Sequence, residues 1–374
     1  MRKILKTKED IEDFIFGVTL FGTGGGGDPD KGLQFLLDDL KAGRKIRVID
    51  IDDVPNNAMT ASSFFMGSIA PLKGEILELF KKWGKYEFDE LAVMATRTLE
   101  KELGAKVKAL VAVETGGLNT AAPLSIAAKL GIPAVDGDYA GRAVPELEQI
   151  TAGFLGVPWT PFVLFDRFGD KTVIKEIVNC PQLERVGRYV CVAGYGLIGG
   201  AALPVRGKKM KQIIVPNTIS RAIEIGRSLR MAKEKGEDPV KAMVETTQGY
   251  LLFKGKIKQF TWEDKEGFMY GTNVIDGMED YAGHEFKIWF KNENHLAWKD
   301  AKVVATSPDL ICACVDLKTS KPTTNDKLKE GLEVAVLATK APRLMRTKEG
   351  IAALGPRHFG FDMDYVPIEE RLKS

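Results

Sequence analysis

Residues 107–138 set the tightest limit on how this chain can fold. Val107-Lys-Ala-Leu-Val-Ala-Val113 is rich in β-branched residues and reads as a strand, and Glu114-Thr115-Gly116-Gly117 reads as a turn. Asn119 to Leu130 is an Ala-rich helix capped by Gly131, and Ile132-Pro-Ala-Val135 is a second short strand. Strand, helix and strand within about 30 residues make a right-handed parallel βαβ unit. Parallel strands need helices on both faces, which predicts a three-layer α/β domain built on this unit. Both strands run out into polar loops, Glu114-Thr115 and Asp136-Gly137-Asp138. In open α/β sheets the crevice beyond such strand ends is where ligands bind.

The segments around this unit divide by pattern. Ile11 to Leu20 carries Ile11, Phe14, Ile15 and Val18 at helical spacing, with Thr7 as its expected N-cap and Asp10 three residues on. Gly22-Thr-Gly-Gly-Gly-Gly-Asp-Pro29 follows, then a second amphipathic helix from about Asp30 to Lys41, then a strand at Ile46–Ile51. The glycine run therefore joins two helices and does not follow a strand. Phe162–Phe165 and Thr172–Val178 read as a hairpin, and Thr218–Lys235 as a long amphipathic helix. Beyond Gly249 the chain is β-rich, with strands expected at Lys254–Phe260, Gly267–Val274, Glu285–Phe290, Val303–Ala305, Ile311–Leu317 and Val334–Ala338. The expected division is an α/β domain over 1–246 and a mostly β C-terminal domain over 247–374, with the 160–180 hairpin crossing to the second.

Composition narrows the function classes. The chain has 374 residues, 44% hydrophobic and 28% charged, which fits packed domains and excludes a disordered or collagen-like chain. Lys+Arg 53 against Asp+Glu 51 leaves +2, so no bulk charge points to nucleic acid or an anionic membrane. Lys6, Lys8, Glu9, Asp10 and Asp13 interrupt the N-terminal segment, and no apolar run is long enough to span a bilayer. Four cysteines in a chain of this length do not form a disulfide framework. The expectation is a cytoplasmic protein acting on a small molecule. Exposed β edges in its C-terminal domain favour a homodimer or higher homo-oligomer.

The candidate chemistry lies in three short stretches. Gly24, Gly25, Gly26 and Gly27 offer backbone N–H groups with no Cβ in the way, a cradle for a planar ring or an anion at the start of the next helix. The plainer alternative is a tight helix–helix turn. No Lys-Ser/Thr follows, so the run is not a P-loop, and a nucleotide-binding protein is disfavoured. Asp136 and Asp138, at i and i+2 on an extended chain, point to one side, with Arg142 and Glu146 downstream. They could divide acid and base roles, hold a divalent metal together with Glu114, or simply cap the next helix. Glu114 can accept a ring N–H, and Asn119 can supply a donor and an acceptor to an imide-like edge, although capping alone also accounts for Asn119. Cys180, Cys191, Cys312 and Cys314 lack zinc-knuckle spacing and read as core. The Arg206-Gly-Lys208-Lys209 cluster reads as a solvated turn. Among the three histidines, only His358, in a Gly-rich loop, is a candidate for chemistry, and no G-x-S-x-G elbow is present.

Gly22-Thr-Gly-Gly-Gly-Gly-Asp-Pro29, Glu114-Thr-Gly-Gly-Leu-Asn119 and Asp136-Gly-Asp-Tyr-Ala-Gly-Arg-Ala-Val-Pro-Glu146 together resemble the S-methyl thiohydantoin desulfurase family, which is associated with hydantoinase/oxoprolinase-type enzymes. Thr218-Ile-Ser-Arg-Ala222, Asn292-Glu293, Pro308-Asp-Leu-Ile311 and Gly355-Pro-Arg-His-Phe-Gly-Phe-Asp362 extend the likeness along the chain, with His358 standing where a small residue is expected. The resemblance implies an α/β N-terminal domain, a mostly β C-terminal domain, and hydrolysis of S-methyl thiohydantoin to hydantoin with loss of the methylthio group. On this reading the ring lies over Gly24–Gly27, its imide edge meets Glu114, Asn119 and Thr23, and Asp138 or Asp136 is the general base. Arg142 or backbone N–H groups would stabilise charge on the ring nitrogen, with Asp28 and Glu146 also at the substrate. The alternative is a non-catalytic small-molecule-binding or regulatory partner of a hydantoinase-type enzyme.

Overall fold

The computed structural model describes residues 3–67 and 74–373, with side chains from Leu5 onward. Its first sheet contains β1 (Lys3–Leu5), β2 (Ile46–Ile49), β3 (Met59–Met66), β4 (Ala109–Ala112), β5 (Ala134–Asp138), β6 (Phe162–Phe165), β7 (Lys171–Ile174), β8 (Ile198–Arg206) and β9 (Val215–Pro216). The helices of this part are α1 (Lys8–Phe21), α2 (Pro29–Lys41), α3 (Gly74–Trp83), α4 (Leu91–Leu103), α5 (Ala121–Leu130), α6 (Thr151–Phe154), α7 (Cys180–Ala193), α8 (Gly207–Ile213), α9 (Thr218–Lys235) and α10 (Pro239–Thr247). The strand order is β1-β2-β5-β4-β3-β8-β6-β7, with β9 on β5. Strands β2, β5, β4 and β3 are parallel, and the remaining pairings are antiparallel. The expected crossover unit is β4–α5–β5.

Alternation along the strands feeds two cores. Ala109 and Val111 of β4 and Phe162 and Leu164 of β6 enter one core, together with Leu183 of α7, Met210 of α8 and Met243 of α10. Leu110, Val163 and Phe165 enter the other, with side chains of α1, α2, α4 and α5. With both faces covered, the domain has the three layers that parallel strands require. The Arg206–Lys209 stretch ends β8 and opens α8; Arg206, Lys208 and Lys209 are exposed, as expected of a solvated turn, and it makes a strand-to-helix junction.

Four strands of this sheet, β1, β3, β8 and β9, are not among those expected from the sequence. In β3 buried Thr60, Ser62 and Ser63 interrupt the apolar pattern; the Thr60 hydroxyl donates to the Val205 carbonyl at 2.8 Å, and the Ser63 hydroxyl meets that of Thr96 at 2.6 Å. In β8 a Cβ on Gly199 would fall 2.2 Å from the Leu91 carbonyl carbon, so that glycine lets α4 lie directly on the strand.

The second sheet contains β10 (Tyr250–Lys265), β11 (Phe268–Gly277), β12 (Glu285–Lys291), β13 (Glu293–Lys299), β14 (Lys302–Thr306), β15 (Leu310–Ile311), β16 (Cys314–Asp316), β17 (Lys321–Thr323) and β18 (Glu333–Thr339). Its order is β14-β13-β12-β11-β10-β18-β16-β17, with β15 on β18, and every pairing is antiparallel. Register shifts in the β10–β11, β10–β18, β12–β13 and β13–β14 pairs mark bulges that bend it. The 162–174 hairpin pairs through β6 with β8, so it stays in the first sheet and does not cross to the second. The expected strand at 311–317 is broken in two, because the Ala313 amide leaves the ladder and donates to the Leu20 carbonyl of α1 at 3.0 Å. Leu310, Cys312, Val315, Ala335 and Leu337 of the second sheet also enter a core of the first, so one apolar interior runs through the junction.

Helices α1 and α9 carry that junction. A Cβ on Gly17 would lie 2.1 Å from the Ala222 carbonyl oxygen, and one on Gly226 would lie 1.9 Å from that of Asp13, so the two helices cross with backbones touching. Arg230 clamps the crossing by donating to both oxygens of buried Asp13, at 3.2 and 3.0 Å. This contact fixes where α1 delivers the glycine run and where α9 begins. Gly226→Ala forces the helices apart and is expected to cost about 1–3 kcal/mol, read as a fall in the denaturation midpoint; an unchanged midpoint would show that the crossing yields freely.

Candidate functional site

Four segments converge where the domains meet. The Asn325 amide donates to the Gly24 carbonyl at 2.7 Å and the Asn294 amide to that of Thr23 at 2.6 Å, while the Leu118 and Asn119 amides both reach the Gly26 carbonyl at 3.1 Å. Thr23, Gly24, Gly26 and Gly27 all have positive φ, at 52°, 91°, 81° and 78°. The glycines are required, but by close packing. A Cβ on Gly24 would strike Asn325 at 2.4 Å, one on Gly25 would strike Glu293 Oε1 at 1.9 Å, and one on Gly26 would strike Gly116 Cα at 2.5 Å. The expected open cradle is thus filled by protein. Two hollows among the described residues lie elsewhere, beside Asp300 and Arg371 and beside Tyr86 and Arg167.

The predicted carboxylates separate into three environments. Asp136 faces the start of α9, accepting from the Ser220 amide at 3.0 Å and from the Ser220 hydroxyl. It caps α9 from far along the chain, and not the next helix that the sequence left as an alternative. Asp138 is buried and accepts from the Thr115 hydroxyl at 2.6 Å and from the Ala140 and Gly141 amides at 2.7 and 2.5 Å. Burial pushes its pKa up against those donors, and the carboxylate serves to hold the turn. Glu114 differs from both. It accepts from Asn119 Nδ2 and from the Val144 amide, each at 2.6 Å, and burial raises its pKa to about 7, with the charge of Asp138 adding to the rise. Asn119 is therefore Glu114's partner, and α5 starts two residues later at Ala121.

The second domain adds a carboxyl, Glu293, to which no role is assigned from sequence. Asn292, in the left-handed conformation at φ 55°, makes the tight turn between β12 and β13 and puts Glu293 at the head of β13. Glu293 is buried against Gly25, with the Gly26 amide reaching its carboxyl. Burial, followed by the charge of Glu114, holds its pKa well above the usual carboxylate range, with Arg142 opposing. The signal in the sequence was the turn residue Asn292 between two β-rich runs; without β13 on the strand map, Glu293 had no address.

Arg142 lies beneath this pair, fully buried. Its guanidinium donates to the Ala143, Asp309 and Asn294 carbonyls at 2.9, 3.1 and 2.8 Å and to the Thr23 hydroxyl at 3.2 Å. Burial lowers its pKa to about 10, with Glu293 the largest opposing charge, so it remains a cation at neutral pH. Four of its five N–H donors are committed to protein oxygens, so it acts as a strut between loops. Asp28 likewise caps α2 through the Asp30 amide at 3.0 Å and pairs with Lys327 at 3.2 Å.

Glu146 belongs to a neighbouring cluster. It receives Lys291, His358 Nε2 at 2.7 Å and Gln149 Nε2 at 2.7 Å. Burial raises its pKa, but the bonds from His358 and Lys291 outweigh that and leave it lowered. The donor atoms of Glu114, Asp136 and Asp138 do not gather into a coordination sphere. Among the described residues the potential ligand group is Glu146, Glu148 and His358, where the Lys291 ammonium already neutralises Glu146. Cys191, Cys312 and Cys314 are buried and Cys180 is half-buried, all as free thiols.

In fold, the chain is similar to a solved protein from Chromobacterium violaceum, with a TM-score of 0.79 and 23% identity over 98% of this chain and all of that one. No curated protein matches. Family models described as the S-Me-THD-like N-terminal domain and the S-Me-THD-like C-terminal domain match residues 9–176 and 178–368. With nearly the whole chain matched, and with glycine run, Glu114 turn and Glu293 hairpin meeting at one junction, this protein belongs to the S-Me-THD-like family.

Proposed function

We propose that the chain is a hydrolase of a small cyclic thioamide or hydantoin-like ring, converting S-methyl thiohydantoin to hydantoin with Glu114 and Glu293 as the acid–base pair. Family membership supports the substrate class. The observation that carries the reaction is two buried carboxyls, one from each domain, held beside a buried cation, with burial raising the pKa of both. Such a pair keeps a proton at neutral pH, and Arg142 favours one remaining negative charge.

Glu114, poised near neutrality, takes a proton from water as its oxygen bonds to the ring carbon bearing sulfur. The C–S bond then breaks, and Glu293, protonated, gives its proton to the departing methanethiolate. The proton taken from water passes to the ring nitrogen, and the hydroxyl proton left on carbon restores Glu293 as the carbonyl forms. Water and substrate thus balance methanethiol and hydantoin. Asn119, half-exposed and bonded to Glu114, is the group a ring imide edge would displace. Because Gly24 and Gly25 are filled by Asn325 and Glu293 of the second domain, entry requires the Glu293 hairpin and the glycine loop to part.

The purified chain alone is expected to release methanethiol from S-methyl thiohydantoin, followed with a thiol reagent; a chain that binds the ring without releasing thiol would be a binding partner instead. Glu293→Gln should lower kcat by roughly 10²–10⁴-fold while the fold persists. Gly25→Ala, whose methyl would occupy the Glu293 carboxylate position, should match that loss; full turnover in either variant would remove Glu293 from the chemistry.

The pH dependence has opposite signs for activity and stability. A base with a pKa of about 7 loses activity as pH falls through 7, so kcat/KM should show an acidic limb there. The same group, raised from its ordinary 4.5, binds more protons folded than unfolded, so its contribution favours folding below about 4.5 and is lost as pH rises to about 7. Glu114→Gln should abolish the activity and flatten that part of the stability profile. A limb unmoved by the substitution, measured on residual turnover, would assign it to another group.

A further inference from the structure

Lys291 ends β12 one residue before the turn at Asn292, and it is the cross-strand partner of Glu293. Its side chain is only 9% exposed, with the ammonium over the β11 rings of Phe268, at 4.4 Å, and Tyr270, at 5.6 Å. A cation drawn this far from water needs a counter-charge. The first domain supplies it: Lys291 Nζ donates to Glu146 Oε1, while Oε2 is held by His358 Nε2 and Gln149 Nε2, each at 2.7 Å.

Glu146 is anchored on its own side as well. The Leu147 amide donates to Glu184 of α7 at 3.1 Å, and the Val144 amide, two residues before Glu146, is the one that donates to Glu114 at 2.6 Å. A closed circuit of contacts results. It runs from Glu114 through Val144 and Glu146 to Lys291, and across the hairpin from Lys291 to Glu293. We propose that Lys291 is a positioning residue for the carboxyl pair: its ion pair with Glu146 latches the Glu293 hairpin to the loop that holds Glu114, and parting of the junction breaks it. The assignment rests on the proposed roles of Glu114 and Glu293, whereas the latch itself is a property of the fold. A surface ion pair could not do this, because water competes for both partners. Here the cation is buried and Glu146 is 21% exposed, so removing either partner strands the other away from water.

Hydrogen exchange of the full chain, followed by mass spectrometry, tests the latch without reference to activity. Lys291→Met keeps an apolar stem on Phe268 and Tyr270 and removes the ammonium. It should speed exchange of the Asn294 and Asn325 amides, which donate to Thr23 and Gly24 across the junction, by about tenfold or more. The β10–β18 pair should keep its wild-type protection, which separates parting of the junction from a general loss of folding. Glu146→Gln should have the same effect, and the double variant should add little to either, as expected of two partners in one contact. Wild-type exchange at the junction in either variant, or effects that simply add, would overturn the proposal. Turnover gives a second readout. Lys291→Met should move the acidic limb of kcat/KM to lower pH, because water reaching Glu114 relieves its burial, whereas loss of a nearby cation alone would move the limb up and would equally overturn the positioning role. A wild type that releases no thiol would remove the proposed reaction, and the exchange result would still decide the latch.

Discussion

The fully buried guanidinium of Arg142 is the constraint on which the junction depends. A cation removed from water must find both hydrogen-bond acceptors and compensating charge. The acceptors come from Thr23 in the glycine loop, Ala143 in its own loop, Asn294 on β13 and Asp309 in the second domain. The compensating charges are led by Glu293. One side chain therefore ties segments 119 to 167 residues away to a single point, and those segments bring the carboxyl pair together.

That tie explains why the glycines are bare. Backbone from the first helix, the β4–α5 turn and the second sheet must all approach a charge of side-chain size, and any Cβ at Gly24, Gly25 or Gly26 would occupy space already held by Asn325, Glu293 or Gly116. The asparagines complete the joint: Asn325 Nδ2 donates to the Asn292 carbonyl at 2.9 Å and to Asn294 Oδ1 at 3.0 Å. A glycine-rich loop and a ligand loop share a sequence signature because both need main chain without side chains. Here the partners of that main chain are the second domain at Gly24 and Gly25 and the β4–α5 turn at Gly26 and Gly27.

What was legible in the sequence follows the range of the interactions. The β4–α5–β5 unit, the Thr7–Asp10 cap of α1 and the full span of α9 are local, set by periodicity and capping within a few residues, and they read correctly. Strands β3 and β8 were hidden because buried hydroxyls and glycines, acceptable only once neighbours satisfy or fill them, erase the apolar alternation. Glu114 and Asn119 were legible as a pair at one turn, and the structure joins them by a hydrogen bond. Glu293 was not, because its significance lies in a residue far along the chain, Gly25, and in burial that only the closed junction provides. Asp136 and Asp138 show the converse: identical residues two apart, one drawn to the start of α9 and the other to its own turn by donors that no local pattern displays.

Burial raises both carboxyls, and burial here is made by contact between domains, so the proton inventory of the site and the closure of the junction are one property. Parting the Glu293 hairpin from Gly25 admits water to both groups, lowers their pKa values toward those of free carboxyls and discharges the shared proton. Closure over a ring would reverse this, expelling water and restoring the base near neutrality together with its protonated mate. On the proposed reaction an acid–base pair of this kind is assembled only in the closed form, where it would be shielded from proton exchange with bulk solvent and would admit only a ring small enough to let the domains meet.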